Sequence, residues 1–463
     1  MGIYLNPGNE NFKSIVSADI YVDKTMMLSV TNEFIDKGNK YVCMSRPRRF
    51  GKTIAGNMLS AYYSKGCDSS DIFSKFGISS FPGYREKMNK YNVIKIDMNS
   101  EYQNTKVKDD LIDILSEKVI NEIREEYPGI SASPEKNTLA EAILEIFSKT
   151  KETFIIIIDE YDVLVREQVD RELFDRYLSF LNGLFKSDTL RPAISFAYLT
   201  GILPVVRDRI QSKLNNFKEF TMLNAGKYEE YIGFTEDEVR RLCKEYDVDF
   251  EECRLWYDGY RLNRVELYNP ESVIEYIGTG EPENYWAKTS SWKVIEDRIK
   301  DNFEGLKDDV ERMISGESVD VNVKRYLNTM DSFETRGDSF TYLIHTGYLT
   351  YDKNDKTCRI PNLEIRDEWY NAIEARSEYK TTYGIIKASK QLLMDTLSGN
   401  EEAVAKALDQ SHIHVSNNRL YNNEDIKEYS LPFTADRRKL YKIGVSFDSK
   451  TRGLSGWKES VLL

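Results

Sequence analysis

Apolar and polar positions follow two rhythms along the first half of the chain. Short apolar runs bounded by polar residues recur at 41–44, 91–98, 153–160 and 193–200, each the length of a strand. The run "TFIIIIDE" at 153–160 is the strongest. Four consecutive isoleucines after a phenylalanine show no alternation, as expected of a strand covered on both faces. Between these runs lie segments of helical period at 52–63, 106–126, 139–148 and 171–185, and "FKEFTML" at 217–223 reads as a fifth strand. Strands alternating with helices predict an α/β fold, a parallel sheet flanked by helices. The alternation ends near Asn224. From Lys227 to about Arg359 the pattern reads mostly helical and acidic. There "FTEDEVRRL" opens a helix, with Thr235 as its cap and Glu238 three residues on, the spacing of a capping box.

Composition narrows the class. The 463 residues suffice for roughly three domains. With 41% hydrophobic and 30% charged residues the chain matches soluble globular proteins. No apolar run approaches the roughly 18 residues of a membrane span. The start "MGIYLNPGNENFKS" lacks the basic and apolar regions of a signal peptide, and Asn6 stands where a lipidation signal needs Ser or Thr. Five scattered cysteines without a Cys-x-x-Cys spacing argue against a disulfide framework or structural zinc, so a cytoplasmic location is expected. Net charge is −12: residues 1–100 carry +5, residues 101–350 carry −18 and residues 351–463 carry +1. A general nucleic-acid binder is usually basic. Any nucleic-acid contact would therefore fall to the first hundred residues or the tail.

The candidate chemistry begins at "KYVCMSRPRRFGKTIAG", residues 40–56, which sets Gly51-Lys52-Thr53 between a predicted strand and a predicted helix. That is the context of a phosphate-binding loop, where backbone N–H groups and a helix N-terminus converge on one anion. Lys52 would bring charge to the β- and γ-phosphates, Thr53 a hydroxyl for Mg²⁺, and Gly51 a close backbone approach. Arg46 stands where such a loop normally has its first glycine, a change that removes backbone freedom but no charged ligand. The bland alternative is a surface Gly-Lys-Thr turn. A second motif weighs against it: Asp159 and Glu160 close the isoleucine strand. There a carboxylate can hold Mg²⁺ and the next residue can polarise an attacking water, and phosphoryl transfer rests on such positioning and charge neutralisation. Acidic strand ends are common on surfaces, so the argument lies in the pair of motifs. Thr200, ending the strand before "GILP", either touches the γ-phosphate or the lytic water or simply begins a Thr-Gly turn. Asp162 stands behind the carboxylates or caps a helix.

Taken together, "YVDKT", "RPRRFGKT", "IIIIDEYD" and "LTGILP" resemble the prokaryotic predicted AAA-ATPase-like family. The likeness continues through "FTEDEV", "WYDGYRLN", "LYNPESV", "YLIHTGYLTYD" and "IPNLEIRDEW", covering about residues 4–370. The family's loop reads RPRRFGK followed by Ser or Thr, so Arg46 is its own form. The resemblance implies a P-loop NTPase fold of the AAA-like (ASCE) type that binds ATP with Mg²⁺. It carries over Gly51, Lys52 and Thr53 as nucleotide contacts and Asp159 and Glu160 as the acidic pair. The candidate nucleotide-binding stretch is Arg46, Pro47, Arg48, Arg49, Phe50, Gly51, Lys52 and Thr53. Thr53 and Asp159 are the metal candidates, and Glu160, Lys52 and Thr200 the catalytic ones. Arg46, Arg48 and Arg49 are either extra cations beside the phosphates, with Asp162 as a partner, or a solvated basic loop. Asp23 and Lys24 are expected to hold the N-terminal segment on the ATPase core. Asp258 of "WYDGY" is expected to cap a turn in a packing motif.

The family usually ends in a PD-(D/E)XK nuclease-like domain. Here "LLMDTLSGNEEAVAKALDQ" resembles its opening helices, "SNNRLYNNED" the start of its core, and "LYKIGVSFDSKTRGLSGW" its final strand and end. Little separates the last two, and no Glu-x-Lys stands on a plausible strand, so nuclease activity is not expected. "SEYK" at 377–380 has a helical context. His412 and His414 lack a third metal ligand nearby and are read as an exposed or satisfied pair. The expected domains are an N-terminal segment (1–35), the ATPase (36–225), a helical lid or winged-helix-like region (226–368) and a small α+β tail (369–463). The expected reaction is ATP hydrolysis. The rival readings are a nucleotide-dependent switch acting on a protein partner through the acidic region, and an ATP-driven nucleic-acid processing factor. Glu160 favours the enzyme, because a pure binder has no need of it. A homo-oligomer is compatible with the resemblance, and no arginine finger is identified.

Overall fold

The computed structural model describes residues 2–130, 138–204, 214–286, 303–323 and 335–374, short pieces between 391 and 407, and two strands, Leu440–Phe447 and Leu454–Leu462. The chain divides into two compact units, 1–369 and 370–463. The first is built on five strands: β1 (Tyr41–Ser45), β2 (Asn92–Asp97), β3 (Phe154–Asp159), β4 (Ile194–Gly201) and β5 (Lys218–Phe220). All pair in parallel, in the order β2-β3-β4-β1-β5.

That order positions the site. β4 lies between β1 and β3, so the segments leaving β1 and β3 are two strand spacings apart, about 10 Å. Because every strand runs the same way, the loop after β1, the carboxylates after β3 and Thr200 near the end of β4 reach one edge. Met44 of β1 stands opposite Thr200, and Ile158 of β3 opposite Leu199.

The helices Leu111–Glu126, Leu139–Thr150 and Arg171–Phe185 cover one face, packing on Cys43, Ile94, Ile96, Ile156, Ile158 and Leu199. Helix Lys52–Tyr63 lies on the other, its Gly56 against Ile157. Every residue of β3 is therefore buried, as the unbroken isoleucine run predicts. The helices at 52–63 and 171–185 have the predicted bounds. Strand β3 stops one residue short of the predicted end because Glu160 takes a left-handed conformation, φ 53°.

The region after Asn224 contains more than helices. Two three-stranded antiparallel sheets stand among them: Phe234–Thr235, Tyr260–Leu262 and Val265–Tyr268, then Val319–Asp320, Thr350–Asp352 and Thr357–Arg359. Strands of two to four residues are too short to establish a period. Their turns are clearer in hindsight, since Asn263 bends between two of them at φ 53°. The capping box of Thr235 and Glu238 forms, as do two more at Thr138 and Thr335. Asp258 accepts the Gly259 N–H, a local turn bond.

The "YVDKT" segment ties both parts of this unit. Asp23 accepts the Gly77 N–H (2.7 Å) and the Thr25 N–H (2.8 Å). Lys24 Nζ donates to the Glu230 carbonyl (2.6 Å) and to Glu238 Oε2 (2.5 Å), the carboxylate that also completes the Thr235 cap. So Asp23 serves the sheet side, and Lys24 serves the region that follows it.

In the second unit, Leu440–Phe447 and Leu454–Leu462 pair antiparallel, from Leu440 opposite Leu462 to Phe447 opposite Leu454. Residues 377–380, His412, His414 and 416–425 lie outside the described residues. Among the described residues no helix is long and apolar enough to cross a membrane.

Candidate functional site

The loop leaves β1 at Ser45 and turns twice through left-handed backbone, at Arg49 (φ 66°) and Gly51 (φ 89°). Glycine has no side chain to clash in that conformation, and Gly51 is the residue on which helix Lys52–Tyr63 starts. Lys52 follows at once, only 5% exposed, its Nζ donating to the Pro47 carbonyl at 2.9 Å. Burial pulls its pKa down, and Glu160, Asp159 and Asp162 each push it back up. The loop lysine therefore lies within the field of the acidic cluster. Thr53 stands exposed in the first turn of the helix.

Asp159 is buried at the end of β3, and hydrogen bonds engage its Oδ1 alone, from the Thr200 hydroxyl and from the Glu160 N–H at 3.0 Å. Thr200 thus acts on the acidic strand directly. Glu160 forms an ion pair with Arg166, whose Nε lies 3.4 Å from Asp162 Oδ2. Burial raises the pKa of Glu160, against the opposing pull of Lys52 and Arg166. Asp162 Oδ2 also accepts the N–H groups of Ile202 (3.0 Å) and Leu203 (2.8 Å), which binds the exit of β4 to the exit of β3. The glycine of "TGILP" is required here, since a Cβ on Gly201 would stand 2.6 Å from Asp162 Oδ1.

The arginines of the loop do not all act as expected. Arg46 is fully buried, and its Nη1 donates to the carbonyls of Ser45 (2.9 Å) and Phe220 (3.3 Å). It ties the end of β1 to β5, and burial lowers its pKa to about 10. Arg49 donates to the Tyr285 carbonyl at 2.7 Å and lies 3.7 Å from Glu271. Phe50 is buried edge-on against Tyr260, ring centres 5.2 Å apart. Pro47 packs so closely on Gly347 that a Cβ there would meet it at 2.9 Å and Trp286 at 2.7 Å. The side chains of Arg46, Arg49 and Phe50 are thus engaged with protein, and they join the loop to its neighbours. Of the two expectations, extra cations beside the phosphates or a solvated basic loop, the buried Arg46 side chain matches neither, and the Arg49 side chain is exposed yet bonded to Tyr285. Arg48 is half-buried.

Two functional groups went unnoticed in the sequence. Arg166, not a loop arginine, is the partner of Asp162. Its only signal was the i,i+4 spacing within "DEYDVLVR". Glu364 of "IPNLEIRDEW" is fully buried behind the loop's contacts. It accepts the Ser272 hydroxyl (2.8 Å) and the N–H groups of Tyr285 (3.0 Å) and Trp286 (2.9 Å). Burial raises its pKa to about 7. It holds the short segment on which Arg49 rests. A separate cavity of about 1040 Å³, bordered by Ile120, Leu139, Phe180 and Leu184, lies among the helices Leu111–Glu126, Leu139–Thr150 and Arg171–Phe185 and includes none of the candidate site residues.

A parallel sheet of this order, with a Gly-Lys-Thr loop heading a helix and an Asp-Glu pair two strands away, defines a P-loop NTPase fold of the AAA-like type. Residues 7–211, which carry β1 to β4 and both motifs, match the family described as "Predicted AAA-ATPase". That match speaks for a nucleotide-binding, ATPase-type domain. The chain is also similar to an "Uncharacterized protein in vnfD 5'region" of Azotobacter chroococcum mcd 1, 24% identical over 391 residues, covering 80% of this chain and 69% of that one. Among solved structures it is similar to Cdc6p of Pyrobaculum aerophilum (9% identity, 77% of this chain and 97% of that one, TM-score 0.30). Another is the ORC2 protein of Aeropyrum pernix (10% identity, 77% and 97%, TM-score 0.30). Global similarity at that level is slight, and the fold class rests on the strand order and the loop.

Proposed function

We propose that the chain binds ATP between the Lys52 loop and the Asp159–Glu160 strand end and hydrolyses it with Mg²⁺. The observation that carries this reading is the convergence of Lys52, Asp159, Glu160 and Thr200 on one edge of the sheet. The loop N–H groups and Lys52 bind the phosphates, Lys52 exchanging the Pro47 carbonyl for phosphate oxygens. Thr200 fixes the Asp159 carboxylate by its hydrogen bond. Glu160 takes the proton of the attacking water. The water oxygen bonds to the γ-phosphorus, the bond to the β–γ bridging oxygen breaks with its electron pair passing to ADP, and the proton leaves Glu160 for solvent.

The donor set suits Mg²⁺. No cluster of three His, Cys, Asp or Glu residues is placed to hold a metal among the described residues. Mg²⁺ needs none, because it is held by one or two carboxylates or hydroxyls together with substrate phosphates and water. Asp159, with one oxygen outside its hydrogen bonds, and the exposed Thr53 hydroxyl are the residues that would hold it. Bound there, it would neutralise charge on the phosphates. Phosphate release from ATP by the full chain is accordingly expected with Mg²⁺ and lost on adding excess EDTA. Release unaffected by EDTA would contradict the metal's role.

One observation favours a second reading, a nucleotide-dependent switch. The loop is docked on Tyr285, Tyr260 and Gly347 through Arg49, Phe50 and Pro47, so a change at the phosphates would reach those residues directly. ATP binding without phosphate release above background would support it.

A further inference from the structure

We propose that Arg166 is a positioning residue for hydrolysis: it clamps one oxygen of Glu160 and leaves the other to the attacking water, while Asp162 fixes the guanidinium from behind. The proposal rests on the ATPase reading above and adds to it a group that neither motif contains.

The geometry forms a relay. Arg166 ends the four-residue helix Val163–Arg166 and is mostly buried, its side chain 12% exposed. One nitrogen bonds Glu160 Oε2, and Nε faces Asp162 Oδ2. Asp162 is fully buried and cannot yield, because two N–H groups at the exit of β4 hold the same oxygen. The guanidinium is therefore fixed on a carboxylate pinned to the sheet. The left-handed backbone at Glu160 turns its side chain out of the strand's line, and its hydrogen bonds to other side chains engage Oε2 alone. Four charged groups face Glu160: Lys52 from the loop helix, Asp159 from β3, and Asp162 and Arg166 from the segment after it. With Lys52 committed to phosphate, Arg166 is the cation left to hold the Glu160 carboxylate in one orientation. A base held to within a fraction of an ångström is worth far more than one free to rotate.

The test uses the full chain with Arg166→Gln and Arg166→Lys. Phosphate release is followed at several ATP concentrations. For Arg166→Gln, kcat is expected to fall about 10- to 100-fold with KM for ATP little changed, since positioning of a general base acts on the chemical step. Arg166→Lys is expected to recover part of that loss. Adding Arg166→Gln to Glu160→Gln is expected to cost little further kcat, because the arginine acts through that carboxylate. A merely structural pair predicts lower melting temperatures and the same loss of kcat in both backgrounds, and that result overturns the proposal. A second readout does not depend on turnover: crystal structures of wild type and Arg166→Gln with ATP bound. A Glu160 carboxylate held on Arg166 in wild type and turned away in the variant supports the clamp even if the wild type releases no phosphate, in which case it is the hydrolysis reading that fails. A Glu160 carboxylate in the same place in both overturns the clamp whatever the rate.

Discussion

Glu160→Gln is expected to leave ATP bound and to lower phosphate release by roughly 100- to 10,000-fold, the range set by removal of a general base. Glutamine keeps the length and most of the shape of the side chain, so the loop, Lys52 and Asp159 are undisturbed. What is lost is the acceptor for the water's proton. The same change removes the negative charge that opposes Arg166 and Lys52. That leaves Lys52 facing Asp159 and Asp162 with less competition for phosphate, so ATP affinity is expected to be equal or higher. Binding by calorimetry and phosphate release by a coupled assay check the two halves separately. Loss of both together would mean that Glu160 serves the fold or the binding rather than the chemistry.

The largest effect on stability is expected from Asp162→Ala. This carboxylate is fully buried and serves Arg166, Ile202 and Leu203 at once. Alanine would leave two N–H groups and a largely buried guanidinium with part of their bonding gone. Breaking a buried charge pair by removing one partner costs about 3–5 kcal/mol, mostly the penalty of the charge left behind. Native domains are stable by only about 5–15 kcal/mol. The thermal midpoint is therefore expected to drop by several degrees or more, and the exit of β4 to lose protection from hydrogen exchange ahead of the core strands. An unchanged midpoint would show that water replaces the carboxylate without loss.

The parts legible in the sequence are those whose pattern is long. The four isoleucines of β3 and the helices at 52–63 and 171–185 carry enough residues for a period to emerge, and they lie where the pattern put them. Gly51 was legible as the turn that starts a helix, because a left-handed position before a helical run favours glycine. Asp159 and Glu160 were legible by their place after a buried strand. The misreadings share a cause: they concern where a long side chain goes. Arg46, Arg48 and Arg49 look alike as letters, yet Arg46 turns inward to the Phe220 carbonyl and Arg49 outward to Tyr285, 236 residues away in sequence. Arg166 and Glu364 became visible only once distant segments met. The two small sheets after Asn224 were hidden because their strands are no longer than a turn of helix.

Calorimetric titration of ATP with Mg²⁺ into the full chain, wild type and Lys52→Ala, tests the central claim most directly. One nucleotide bound per wild-type chain, with binding lost or weakened by at least about 100-fold in the variant, is the result expected if Lys52 meets the phosphates through charge-assisted hydrogen bonds. Equal binding by the two proteins, or none by the wild type, would contradict a nucleotide site between the loop and the isoleucine strand.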